Sequence, residues 1–64
     1  MLRIENGNKL VKIMQNGGQG GRFYAFYCQN LGELNQFEEQ VLQDKDFATE
    51  KRAIAWAKKV LEIA

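Results

Sequence analysis

The alternation of apolar and polar residues along this chain changes period once, near Thr49. Before that point short stretches alternate, or run apolar, in the way a pleated strand requires. After it, apolar residues recur every three to four positions, the spacing of one helix face. Leu2-Arg3-Ile4-Glu5 alternates and meets Asn6-Gly7, a dipeptide that favours a type I′ hairpin turn. These residues form either a short partner strand or a loose end. Lys9–Gln15 follows as a strand. Asn16-Gly17-Gly18-Gln19-Gly20-Gly21 then places four glycines in six residues, a composition suited to a hairpin loop with positive φ.

Arg22–Gln29 is the clearest strand, because its aromatic residues favour a pleated surface. Its apolar groups point both ways: Phe23, Ala25 and Tyr27 to one face, Tyr24, Phe26 and Cys28 to the other. A strand apolar on both faces is central, or has its outer face covered. Asn30-Leu31-Gly32 reads as a turn. Glu33–Asp44 fits two descriptions. As a helix it carries a stripe of Leu34, Phe37, Val41 and Leu42, and its Glu, Gln and Leu content favours that state. As a strand it sets Phe37, Val41 and Gln43 against Gln40 and Leu42. The aromatic strand needs a second neighbour, and this tips the expectation towards a strand.

In the last segment Thr49 is placed to cap a helix, Glu50 suits its positive end, and Lys58 and Lys59 suit its negative end. Ala53, Ala57, Val60 and Ala64 share one face. Trp56 and Ile63 flank it on one side, Ile54 and Leu61 on the other. Lys51, Ala55, Lys58, Lys59 and Glu62 lie opposite. Alanines at 53 and 57 allow close approach to a sheet, and Phe47 should plug the end of the core. The expected fold is α+β: a three-stranded antiparallel sheet, with Leu2–Glu5 as a short extra N-terminal strand if it pairs. One C-terminal helix over residues 49–63 packs on it and, at about 22 Å, is long enough to cross three strands.

Composition narrows the picture. Sixty-four residues without proline, linker or repeat make one small domain, 1–64. A chain of this size has marginal stability and commonly needs a staple. One cysteine excludes an internal disulfide, and the lack of histidine excludes a Cys/His zinc site. An efficient core or self-association is left. The single Cys28 fits a reducing compartment. Arg3, Glu5 and Lys9 interrupt any signal-peptide core, and no apolar run approaches a membrane span. We expect a cytoplasmic protein with no membrane contact.

Candidate chemistry is sparse. Gly20-Gly21 leads through Arg22-Phe23 into a strand, whereas a phosphate-binding loop leads into a helix with a following lysine. Cys28 has no histidine to act as its base. Glu38 and Glu39, if in a strand, point to opposite faces. Asp44 and Asp46 flank Lys45 in an expected turn, too few oxygens for a calcium loop. No catalytic, metal or cofactor residue is therefore assigned, and enzyme activity is not expected. Trp56, on the flank of the helix face, is expected in the core or, if partly exposed, as an anchor for a partner. Because one helix covers one sheet face, the other face carries a pair of large rings, which either lie open as a binding patch or are covered by a long loop or by the residues before Lys9. The candidate interaction residues are Lys12, Arg22, Phe23, Tyr24, Phe26 and Tyr27.

The segment Phe47-x-Thr49-x-x-x-Ala53-x-x-Trp56-Ala57, placed after expected strands, resembles the end of the arm-type, AP2-like DNA-binding domain of tyrosine-family integrases. That resemblance implies three antiparallel strands on one C-terminal helix, with the sheet face away from the helix entering a DNA groove. The strands that would meet DNA hold Lys9, Lys12 and Arg22, but also Glu38 and Glu39. The denser basic cluster, Lys51, Arg52, Lys58 and Lys59, falls on the helix, where that family does not meet DNA. WGR-like modules end similarly, although their Trp-Gly-Arg signature is absent. Double-stranded RNA-binding domains are a weaker parallel, since they have a first helix that this chain lacks.

Two functions follow. The first is a non-enzymatic interaction module that meets a protein partner, or a second copy of itself, through an aromatic sheet face. The net charge of +1 offers little repulsion between copies. The alternative is a nucleic-acid binder using the same face, with its five Asn and six Gln residues available to read base edges.

Overall fold

The computed structural model describes residues 2–16, 21–32 and 39–63. Four strands, β1 (Leu2–Asn6), β2 (Lys9–Asn16), β3 (Arg22–Asn30) and β4 (Glu39–Phe47), form one antiparallel meander in chain order. The helix α1 (Glu50–Val60) closes one face. The architecture is α+β, as the pattern indicates. Leu2–Asn6 is a true strand, in register with β2 from Leu2↔Ile13 to Asn6↔Lys9.

The first turn departs from expectation by one residue. Asn6 pairs with Lys9, so the two-residue loop is Gly7-Asn8 and not Asn6-Gly7. Gly7 has φ +64 whereas Asn8 is not in the positive-φ region, the sign pattern of a type II′ turn rather than type I′. The shift releases the Asn6 side chain. Its Nδ2 donates to the carbonyl oxygen of Leu61 at 2.7 Å, joining the first hairpin to the end of the helix. Of the glycine-rich stretch, residues 17–20 lie outside the described residues. Gly21, with φ +73, leads into β3.

Residues 39–44 are strand, in agreement with the leaning over Glu33–Asp44; 33–38 lie outside the described residues. The expected alternation within β4 fails at one place. Gln43 pairs with Tyr27 while Val41 pairs with Cys28, so Leu42 is an extra residue in a β-bulge. The bulge turns Val41 and Gln43 to opposite faces, where simple alternation puts them together. Asp44-Lys45-Asp46, expected as a turn, is strand and pairs with Phe26, Ala25 and Tyr24.

Thr49 caps the helix as its sequence position indicates: its Oγ1 accepts from the Arg52 N–H at 3.2 Å. The helix is shorter than expected. It ends at Val60, with Leu61 as C-cap, because the backbone turns left-handed at Glu62 (φ 58). The Ile63 N–H then bonds to the Lys58 carbonyl at 2.8 Å and the Glu62 N–H to the Lys59 carbonyl at 3.2 Å. This is a Schellman closure, which satisfies the last carbonyls and folds Ile63 back onto the core. Eleven helical residues span about 16 Å, and α1 lies over β3 with β2 and β4 to either side.

The core sits between the helix and the sheet. Val11, Ile13, Ala25, Ala53, Ala57 and Leu61 are its buried centre. The central helix stripe is thus Ala53–Ala57–Leu61, rotated slightly from the stripe expected through Val60. Ile4, Phe23, Tyr27, Phe47 and Trp56 pack around it. Phe47 plugs one end as expected, its ring 5.7 Å from that of Trp56 at a tilt of 46°. No helix of the described residues is long and apolar enough to cross a membrane.

Candidate docking face

Pleating sends alternate side chains to opposite sides of a sheet. Since Val11, Ile13, Ala25 and Tyr27 face the helix, their neighbours in sequence face away from it. The far face therefore carries Leu10, Lys12 and Met14 from β2 opposite Cys28, Phe26 and Tyr24 from β3. Asp46 and Asp44 of β4 stand beside Tyr24 and Phe26. From β1 it receives Arg3 and Glu5, because Ile4 packs on the core side.

This face has two halves. At one end Leu10 and Cys28 are buried, at 2% and 1% exposure, although the helix lies on the other side of the sheet. An ionic cluster stands at that end. Lys12 Nζ lies 2.7 Å from Glu39 Oε1, Arg3 Nη1 lies 3.3 Å from Glu39 Oε2, and Arg3 also meets Glu5 at 3.1 Å. The Glu39 carboxylate thus ties β4 to β2 and β1. Its Oε2 is buried and meets Arg3 in the 3.3 Å ion pair. The hydrogen bond from Lys12 holds the Glu39 carboxyl below its ordinary value; burial opposes this, and the charges of Lys12 and Arg3 reinforce it. Beneath, burial pushes the Cys28 thiol above its ordinary value, with Lys12 and Arg3 opposing and Glu39 adding to the rise. Its Sγ donates weakly to the Phe26 carbonyl at 3.7 Å. A buried, protonated thiol is a poor nucleophile.

The other half is open. Tyr24 and Phe26 are half-buried, and Met14 is 41% exposed. A shallow cleft of about 370 Å3 lies along Tyr24, Phe26, Asp44, Lys45 and Asp46. Arg22 Nε donates to Asp46 Oδ2 at 2.9 Å, a contact between exposed groups. Among the described residues the Asp44 side chain has no ion-pair or hydrogen-bond partner. A larger hollow of about 650 Å3, polar and beside the first turn, is lined by residues such as Arg3, Glu5, Asn8 and Gln29.

The six sequence-derived candidates therefore divide. Lys12, Arg22, Tyr24 and Phe26 share the far face. Phe23 and Tyr27 do not join them: both pack beneath the helix as part of the core. The Lys9 ammonium lies 5.7 Å from the Tyr27 ring centre on that side. Both cations of the far-face group are engaged by carboxylates. Sequence reasoning missed Glu39, weighed only for the face it takes relative to Glu38, and missed Asp44 and Asp46 as cleft residues. Their spacing of two, with Lys45 between, was the available signal, and reading it as a turn concealed it. Among the described residues no group of three or more His, Cys, Asp or Glu side chains is placed to hold a metal ion.

Comparison with known proteins finds no match: no protein-family model, no curated protein and no solved structure matches this chain.

Proposed function

We propose that this domain is a non-enzymatic docking module that receives a protein partner, or a second copy of itself, on the sheet face away from the helix. The observation that carries this reading is the open cleft floored by Tyr24 and Phe26 on the face that α1 does not cover. Rings so placed supply apolar area and a π surface at low conformational cost, which suits a contact site. Cytoplasmic residence goes with it, supported by the unpaired thiol of Cys28.

The nucleic-acid alternative rests on the likeness to arm-type domains, whose sheet meets DNA by this same face. The charges weigh against it. Arg3, Lys12 and Arg22 stand among Glu5, Glu39, Asp44 and Asp46, three positive against four negative, and Lys12 and Arg22 are already paired. Phosphate binding needs a surplus of free cations. The test is site-specific photocrosslinking in the cells that make the protein. A photoreactive residue at Tyr24 or Phe26 should capture a protein, or a second copy of the chain, whereas one at Lys51 on the outer side of the helix should not. Capture from Lys51 only, capture of nucleic acid, or no adduct from either ring position would remove this reading.

A further inference from the structure

Resting on the docking-face reading, we propose that the occupant is an extended basic segment of another protein. It pairs with the free edge of β4 and lays alternate lysine or arginine side chains over Tyr24 and Phe26, beside Asp44 and Asp46. Three observations lead there. First, β4 is the edge of the sheet next to the cleft: the strand order leaves its outer side without a neighbour among the described residues. It has no proline, exposes Val41 and Leu42 at 55% and 44%, and beyond the bulge at Leu42 runs in regular register from Gln43 to Phe47. Such an edge is a template for strand addition.

Second, the charges of β4 alternate by face. Asp44 and Asp46 stand on the far face opposite Phe26 and Tyr24, and Lys45, opposite Ala25, stands on the helix side with its ammonium 5.9 Å from the Phe47 ring centre. A strand joining β4 sets a side chain directly opposite each of these, where opposite charges attract and like charges repel. The complementary pattern is basic, then neutral or acidic, then basic. Among the described residues the Asp44 carboxylate has no partner to be displaced. Third, the ring floor suits the same side chains. Lysine and arginine stems bury against apolar surface, and their heads are attracted to ring faces.

A second copy fits this edge poorly. Antiparallel pairing of β4 with itself about Asp44 opposes Asp44 to Asp44. The next register that keeps the faces matched, about Lys45, opposes Lys45 to Lys45 and Asp44 to Asp46. Both put like charges together across the Asp44–Asp46 stretch.

The experiment titrates the isotope-labelled full chain with a synthetic peptide of the nine-residue length of β4, alternating lysine and threonine, at low ionic strength. Three controls accompany it: a glutamate–threonine counterpart, a lysine–threonine peptide with alternate backbone nitrogens methylated, and the Asp44→Asn variant. The first peptide should shift the amide signals of Gln43–Asp46 and the ring signals of Tyr24 and Phe26, saturably. The acidic and N-methylated peptides should not, and Asp44→Asn should weaken binding about three- to fivefold. Equal response to the acidic or the methylated peptide overturns the inference, as does no response to the lysine peptide. Shifts at Tyr24 and Phe26 without the β4 amides overturn edge pairing while leaving the docking face itself standing. The photocrosslink at Tyr24 or Phe26 decides that reading separately.

Discussion

At the scale of single residues, Glu62 is the clearest exception to local preference. It occupies the left-handed region at φ 58, the position after the helix cap where glycine is favoured. A side chain there costs about 1–2 kcal/mol, and a carboxylate near a helix C-terminus opposes the helix dipole. Glu62→Gly should therefore stabilise the domain by about 1 kcal/mol. In a chain of this size that raises the midpoint of thermal unfolding by about 4–8 °C, measurable by circular dichroism. A lowered midpoint would show that the Glu62 side chain makes a contact worth more than the backbone strain. Other residues do what their local chemistry suggests. Thr49 caps, and Cys28 stays a buried thiol in a strand.

At the scale of elements, the helix works by being thin where it meets the sheet. Ala53 and Ala57 are fully buried, and they admit the backbone of α1 close to the strands. Leu61, beyond the last helical turn, completes the stripe, and Asn6 of the first hairpin donates to its carbonyl. Ala57→Leu should overpack this seam and cost about 1–3 kcal/mol. Ala55→Leu, on the exposed side of the same helix, should stay within about 0.5 kcal/mol. Paired chemical denaturation of the two variants checks this, and equal effects would mean that the seam is not tight. The helix boundaries illustrate what local signals carry. The N-cap was readable because Thr49 acts through its own side chain and the next turn. The C-terminus was overrun by three residues because a glutamate, not a glycine, takes the left-handed turn there. β4 was ambiguous for a related reason: its helix-forming residues compete with a strand that exists only because β3 offers a pairing edge.

At the scale of the whole molecule, Glu39 joins parts distant in the chain, binding Lys12 and lying against Arg3 across the far face. Its carboxyl is lowered from the ordinary value of 4.5 in the folded state, first by the hydrogen bond from Lys12. The unfolded chain therefore binds this proton more readily than the folded one. The stabilisation is fully present above the ordinary value and is lost as pH falls through the lowered folded value. Glu39→Gln should cost about 1 kcal/mol at neutral pH and flatten the acid limb of the stability curve below pH 4.5. Unfolding by urea at several pH values reads both. An unchanged acid limb in the variant would place that pH dependence in other carboxylates.

Periods of two and of three to four, the capping threonine and the spaced alanines are local properties, and from them the sequence alone determined strands followed by one helix packed as α+β. Local periodicity also separated Phe23 and Tyr27 from Tyr24 and Phe26, since the pleat enforces it. Which pair meets the helix was a tertiary decision, made by the single face on which Ala53, Ala57 and Leu61 can seat. The bulge at Leu42, the bridge from Glu39 to Lys12 and the joint alignment of Asp44 and Asp46 beside the rings were tertiary as well. Each depends on register between strands, and register is set by partners that no stretch of the chain contains within itself.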